Sequence, residues 1–389
     1  MQVLRTSVTH AILAILVGLV WSALPACGDN GTGSGSPDAS LDAASTNDAQ
    51  TNSDAGDGAF VDAARDAETT GDAQTDAQVD GGIPSNHFIV VTFNTGTSSG
   101  MQVDGDGDNY GSAQADLEDE YYGNGLAWGE AVDRVKTWLI ALQPEVVAFQ
   151  EIFYSGECPS IPASAYPGFV CETWQAGNPT VSQVLVGAGY QVACHPGKPD
   201  KCIAVKKSFG TIRQCNDPDF CLEGLDGEHI NDCGGGARVA RATIDLVAGG
   251  QITVVNIHAT SGVKRDDMDC RVAQVDQIFE DMDGEPGANG TRNVIMGDFN
   301  IDPGRIPGFL DPSSAEWNKY VGRNQPFQWV SPYGPSAEPT YDGKFNIDNV
   351  VSDAFTGTCY TPGVTSGHPD IYPYHLFDHK PLVCELGDL

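Results

Sequence analysis

Between residues 87 and 389 the chain repeatedly gathers a short run of apolar, largely β-branched residues and then stops on an amide, a carboxylate or an imidazole. The runs are HFIVVTFN (87–94), EVVAFQEI (145–152), CIAVKK (202–207), ARATIDLV (240–247), ITVVNIHAT (252–260), NVIMGDFN (293–300), NIDNVVSD (346–353) and KPLVCEL (380–386). Segments this short and this rich in Val and Ile read as strands. Val132, Val135, Trp138, Leu139 and Leu142 recur instead at helical spacing in 126–142, a helix that Pro144 ends, and 266–282 also reads as a helix. Strands and long helices in mixed order imply α/β layers, with sheet packed on sheet and helices outside.

The strand ends carry the functional signal. Gly297, Asp298 and Asn300 are ordinary turn residues when taken alone. Asn94, Glu151, His258, Asp348 and the pair Asp378–His379 stand in corresponding places, at or just beyond other strands. A structural protein has no reason to end most of its strands this way. A site assembled at one rim of a sheet sandwich has, because strands hold such groups in fixed positions.

The first 86 residues are different material. Arg5, the apolar AILAILVGLVW and the small-residue stretch ending at Cys27 form an export signal over 1–26, and the Leu-Pro-Ala-Cys sequence is similar to a bacterial lipobox. Cys27 would then carry the lipid and become the new N-terminus. Residues 27–86 are rich in Asp, Ala, Ser, Thr and Gly; 28–86 hold 12 acidic residues and one basic, Arg65. Such a stretch buries too little surface to offset its ordering entropy and reads as a disordered tether. The expected organisation is therefore signal, lipid-anchored tether and one domain over 87–389, held on the bacterial cell envelope at the outer membrane or in the periplasm or cell surface.

The domain keeps 41 acidic and 18 basic residues. That balance argues against a stable, nonspecific nucleic-acid partner, which needs Lys and Arg to neutralise phosphates. It leaves open an enzyme that touches phosphates transiently. Ten cysteines follow Cys27, an even count that reads as disulfides in an exported domain, with Cys194–Cys202 and Cys359–Cys384 as candidate pairs. No CxxC pair is present to suggest zinc.

Taken in order, TFN, VVAFQEI, NIHAT, GDFN, PTYDGKFNIDNVV and LFDHKPL resemble the motifs of the endonuclease/exonuclease/phosphatase superfamily, the deoxyribonuclease-I-like fold. The resemblance spans 87–389. It implies a four-layer sandwich of two packed mixed β-sheets flanked by helices, and a divalent-metal-dependent phosphodiesterase. It casts His379 as the base that activates water, oriented by Asp348, with His258 as proton donor to the departing oxygen. Asp298 would act near the leaving or attacking oxygen. Asn94 and Asn300 would hold the scissile phosphate, Arg241 would contact it, and Glu151, Asp378 and Asn94 would bind Mg²⁺ or Mn²⁺.

The expected activity is that of an exported endonuclease acting on DNA or RNA as a transient substrate, by a monomer without a stable protein partner. One alternative is a sphingomyelinase-like phosphodiesterase of phospholipid head groups, for which EWNKYVGRNQPFQWV (316–330) offers an aromatic membrane hairpin. Another is a catalytically silent, calcium-stabilised binding module. Asp104, Asp106 and Asp108 match the opening of a calcium loop, although Asn109 and Ala115 depart from the EF-hand pattern at positions 6 and 12, so structural Ca²⁺ competes there with a plain acidic loop.

Overall fold

A strand buried on both faces is apolar along its whole length, and its alternation then selects between two interior layers rather than between core and water. Residues 293–298 show this: Val294 and Met296 pack into the space between two sheets, while Ile295 packs against helices on the other side. All three are fully buried. The same division sends Val90 and Ala148 into the intersheet layer, and Val91 and Phe149 to the opposite face of their sheet.

The computed structural model describes residues 87–97, 112–217, 219–234, 237–371 and 376–389. The export signal, Cys27, the tether and the Asp104–Asp108 loop lie outside these residues. In chain order the first elements are β1 (Phe88–Asn94), α1 (Ser112–Tyr121), α2 (Gly129–Leu142), β2 (Val146–Gln150), α3 (Val181–Val186), β3 (Tyr190–His195) and β4 (Lys198–Lys206). There follow β5 (Gly210–Ile212), β6 (Asp226–Gly227), β7 (Val239–Leu246), β8 (Gln251–His258), α4 (Arg265–Phe279) and β9 (Asn293–Asp298). The chain closes with α5 (Pro312–Tyr320), β10 (Gln328–Trp329), β11 (Asp348–Ser352), β12 (Phe355–Tyr360) and β13 (Leu382–Asp388).

Among the described residues one sheet has six strands in the order β12-β13-β1-β2-β4-β3. The other has seven, in the order β10-β11-β9-β8-β7-β5 with β6 added to β7. Both sheets are mixed, since β1–β2 and β8–β9 run parallel and the remaining pairs antiparallel. Helices α2 and α3 cover the six-stranded sheet, and α4 and α5 cover the seven-stranded one. The expected four-layer sandwich is therefore present. No helix among the described residues is long and apolar enough to cross a membrane.

Two details position the site. Gln150 and Asn256 tie the sheets together, with Gln150 Nε2 donating to Asn256 Oδ1 at 2.7 Å, and Asn256 Nδ2 donating to the carbonyls of Phe149 and Cys202 at 2.9 and 3.1 Å. A buried network with its donors satisfied fixes one arrangement of the two rims. Gly297, with φ 146°, lets β9 close against β8, for a Cβ there would stand 1.9 Å from the Ile257 carbonyl oxygen. Gly297→Ala is expected to destabilise the fold by about 3 kcal/mol. A urea midpoint equal to that of the parent protein would refute this.

Four disulfides join Cys158–Cys171, Cys194–Cys202, Cys233–Cys270 and Cys359–Cys384, so both pairs expected from the sequence form. Cys215 and Cys221 carry free thiols. The aromatic hairpin expected in 316–330 is not one. Trp317 and Phe327 are buried, and Tyr320 and Trp329 pack beside them under the seven-stranded sheet. Helix α5 runs into that stretch and ends there at Tyr320, and its aromatic residues complete the layer between α4 and β9.

Candidate active site

Strand register brings the polar ends together. His258, the last residue of β8, pairs with Asp298, the last of β9, and Asp298 pairs in turn with Asp348, the first of β11. In the other sheet Asn94, the last residue of β1, pairs with Gln150, and Glu151 follows directly. The two rims face one another: Asn94 Nδ2 lies 3.1 Å from Asp298 Oδ2 and 3.2 Å from Glu151 Oε1, and His258 Nε2 lies 3.2 Å from Glu151 Oε1. His379 comes from the loop before β13. It is held by a bridge to Tyr341, whose ring packs 4.7 Å from the imidazole.

Two of the non-glycine residues with left-handed backbone lie at this place. Glu151 and Asn300 both adopt positive φ, 52° and 48°, a conformation that costs a non-glycine residue free energy and persists where surroundings over-determine it. Asn300 reaches it in an Asx-type turn, with its N–H donating to Asp298 Oδ1 at 2.8 Å.

His379 Nδ1 meets Asp348 Oδ2 at 2.8 Å, and His379 Nε2 lies 3.4 Å from Asn94 Nδ2 and 3.6 Å from Asp298 Oδ2. Burial alone would lower the basicity of His379, but Asp348, Asp298 and Asp378 together outweigh burial and hold its pKa well above the ordinary 6.5. Burial pushes Asp298 up to about 7 against the pull of His379, with Asp348 adding to the rise. Burial likewise pushes Asp378 up to about 7, again opposed by His379, with Glu151 and Asp348 adding to it. Glu151 is raised too, chiefly by burial, although 29% of its side-chain surface stays open. His258 goes the other way: burial first, then Arg238, Lys201 and Lys198, hold it well below 6.5.

These carboxylates outnumber their cations, and the Oδ1 atoms of Asp348 and Asp378 are buried without a hydrogen-bond partner. Crowded hard oxygen donors with unmet lone pairs fit a divalent cation. Ligand atoms of Asp298, Asp348 and His379 lie within 4.8 Å of one another, which also suits a metal. The short Asp348–His379 bond commits that pair to each other, so Glu151 with Asp378 is the better fit. Gly96 guards this position, since a Cβ there would stand 2.5 Å from Glu151 Oε2. Gly96→Ala is expected to weaken divalent-cation affinity by about tenfold or more. Calorimetric titration with Mg²⁺ or Mn²⁺ checks it, and an unchanged affinity would remove Glu151 from the ligand set.

Three sequence expectations change in detail. Asn94 presents its nitrogen to the cluster because Gly96 N–H takes its oxygen at 2.9 Å, an orientation suited to a phosphate oxygen rather than to a metal. Asn300 spends both amide hydrogens on Ala259 O and Asp298 Oδ2, at 2.9 and 3.0 Å, and so positions Asp298. Arg241 is not brought into the cluster. Glu285, 2.6 Å away, and the Pro286 carbonyl hold its guanidinium on the helix-covered face of β7. Arg238, whose carbonyl accepts the His258 N–H at 2.9 Å, stands nearer, and neither it nor the buried Lys201 is singled out by the sequence. The strand-end rule that singles out Asp298 extends to Arg238, which stands directly before β7.

No family model and no curated protein matches the chain. Among solved structures it is similar to the human Nocturnin catalytic domain with bound sulfate, at 16% identity over 78% of this chain and 94% of that one, TM-score 0.44. It is similar to ANGEL2, a 2',3'-cyclic phosphatase, in complex with adenosine-2',3'-vanadate, at 14% identity over 78% and 96%, TM-score 0.44. It is also similar to an endonuclease/exonuclease/phosphatase from Beutenbergia cavernae DSM 12333, at 14% identity over 78% and 72%, TM-score 0.42. Likenesses this distant carry no argument about activity, so the fold rests on the sheet order and layering, and the chemistry on the geometry of the rim.

Proposed function

We propose that the protein is a divalent-metal-dependent phosphodiesterase of the endonuclease/exonuclease/phosphatase type, acting on DNA or RNA as an exported, lipid-anchored enzyme. The observation that carries this is the Asp348–His379 dyad, at 2.8 Å, facing Asn94, Asp298 and Glu151 across two sheet rims. The four disulfides fit an oxidising compartment.

In this reading Asp348 accepts the Nδ1 proton of His379 and fixes its tautomer; a divalent cation among the neighbouring carboxylates would offset the negative charge that raises the imidazole's basicity, leaving Nε2 unprotonated to take a proton from water as the water oxygen bonds to phosphorus. With Glu151 engaged by a cation, Asn94 Nδ2 would turn the hydrogen it now gives Glu151 to a phosphate oxygen, while Asp298, held by Asn300, keeps Asn94 and His379 in register. Glu151 and Asp378 would hold the divalent cation, which would supply positive charge to offset the negative charge that builds on the phosphoryl oxygens. Burial and neighbouring cations keep His258 neutral, so it serves the departing oxygen as a hydrogen-bond donor rather than as an imidazolium acid.

The test incubates the protein with plasmid DNA and, in parallel, with sphingomyelin liposomes, each with Mg²⁺, with Mn²⁺ and with EDTA. Metal-dependent nicking supports the reading. Phosphocholine release without nicking would move the substrate to lipid, and silence on both would sink the assignment. The lipid alternative has lost the exposed hairpin that suggested it.

A further inference from the structure

Eight of the ten cysteines in 87–389 are paired, and the two that are not stand beside each other. Cys215 and Cys221 lie on a strap that crosses from one sheet to the other at the edge where β3 and β5 end them. The strap leaves the seven-stranded sheet beyond β5, where the Arg213 N–H donates to the Thr243 carbonyl at 2.9 Å. It meets the six-stranded sheet at β3, where the Cys221 N–H donates to the Val192 carbonyl at 2.6 Å. It then returns as β6, which pairs Asp226 and Gly227 with Arg241 and Ala240 of β7.

The thiols of Cys215 and Cys221 are joined by a hydrogen bond. Cys221 Sγ also lies 3.9 Å from the carbonyl oxygen of Gln214, the residue directly before Cys215. Gly224 lets the strap fold back on itself. A Cβ there would stand 2.6 Å from Ile212 Cγ2, 2.9 Å from the Arg213 carbonyl oxygen and 3.6 Å from Cys215 Cβ. Cys221 is buried and Cys215 partly exposed, so one sulfur is sheltered while the other is open to a reagent. Among the described residues no third cysteine, histidine or carboxylate completes a metal site around the pair. Burial, then the bond to Cys221, push the Cys215 thiol well up, and Asp217 and Glu223 add to the rise. A thiol so placed is a poor nucleophile or metal ligand.

We propose that Cys215 and Cys221 are an oxidation site that closes as a fifth disulfide and clips the strap between the two sheets. The oxidant is a small-molecule or protein disulfide, of the class that also closes the other four bridges. Cys215 Sγ, as thiolate, attacks one sulfur of the oxidant and releases a first thiol; Cys221 Sγ then displaces the second. One sulfur–sulfur bond forms as another breaks. The two cysteines give up two protons and two electrons, which leave the oxidant as two thiols. The burial and carboxylates that disfavour the Cys215 thiolate also make it a poor leaving group, so the closed bridge resists exchange. Cys194–Cys202 and Cys359–Cys384 already fasten the edge strands β3 and β12 to their neighbours within one sheet. The bridge at Cys215 and Cys221 fastens a connection between sheets.

The experiment holds the full chain in a buffer of oxidised and reduced glutathione, alkylates the remaining thiols and digests the protein. Cleavage after Arg213 and before Asp217, Asp219 and Asp226 cuts the strap into 214–216 and 219–225, with one cysteine in each. The two fragments are expected as one linked species that reduction separates, at least about tenfold more abundant than their alkylated forms. Cys215→Ser is expected to melt about 4 °C below the parent in the same buffer. Adding Cys221→Ser to it should cost less than Cys221→Ser costs the parent, since the bridge is lost only once. Recovery of both fragments alkylated, with the other four bridges intact, would overturn the proposal. So would 214–216 carrying glutathione beside an alkylated 219–225, or either fragment linked to a different cysteine. A linked pair whose loss in Cys215→Ser leaves the melting temperature unchanged would overturn the clip.

Discussion

His379→Ala is expected to lower the turnover of a phosphodiester by about 10³–10⁴-fold while leaving the fold in place. The imidazole is buried, but it sits on a loop rather than within a strand, and its removal breaks no ladder bond. What it removes is the proton acceptor at Nε2 and the partner of Asp348 Oδ2 at 2.8 Å. Asp348→Asn separates these effects. It keeps the shape but exchanges an acceptor for an amide, and so favours the wrong tautomer of His379; its loss is expected to fall within about tenfold of that of His379→Ala. Initial rates with saturating Mg²⁺, alongside circular dichroism of each variant, check both. A variant at position 379 that keeps a tenth of the parent rate would remove this residue from the chemistry and shift attention to Asp298.

The second large effect concerns stability and the cation. Without a divalent metal, Asp298 and Asp378 are raised from 3.8 to about 7, so between those values the folded protein binds more protons than the unfolded chain. Stability must therefore fall as pH rises from about 4 to 7. His379 acts in the same direction at higher pH: its contribution is complete below the unfolded value of 6.5 and is lost as pH climbs through the raised folded value. The metal-free protein is thus expected to melt at a lower temperature at pH 8 than at pH 5.5, the reverse of an ordinary salt-bridged carboxylate. A divalent cation at one hundred times its dissociation constant adds about 2.7 kcal/mol, or roughly 5–10 °C for a domain of this size, and most of that gain should appear at the alkaline end. Scanning calorimetry from pH 5 to 8 with EDTA and with Mg²⁺ decides it. A metal-free midpoint that rises with pH would mean that these carboxylates are not crowded as described.

The strand ends were legible because both faces of each strand are buried, so that NVIM and IVV are unbroken apolar runs and the first polar residue stands out. The same rule fails where a strand is half exposed. β12 reads FTGTCY, mostly open to solvent beyond Phe355, so its alternation carries no unbroken apolar run, and only its cysteine, a candidate partner of Cys384, points to a strand there. Arg238 and Arg241 look alike in the sequence, three residues apart on one run. Only the pairing of β7 with β8 shows that the first stands opposite His258, while the second turns away toward Glu285. The aromatic residues of 316–330 failed as a membrane signal for a related reason. Amphipathic spacing reports that a face is buried, and says nothing about whether protein or lipid covers it.

By itself the sequence determined the layered α/β class and the polar set at the strand ends, because these depend on local periodicity and residue chemistry; for the disulfides it offered candidate pairs, and only the fold fixed the pairing. Only the tertiary structure decided that Asn94 and Asp298, 204 residues apart, meet at 3.1 Å, that Lys201 is buried beside the site, and that Asn300 serves Asp298. Such convergence is a matter of ladder register and sheet packing, which are non-local, and a one-residue slip in any ladder would turn these side chains to the opposite face.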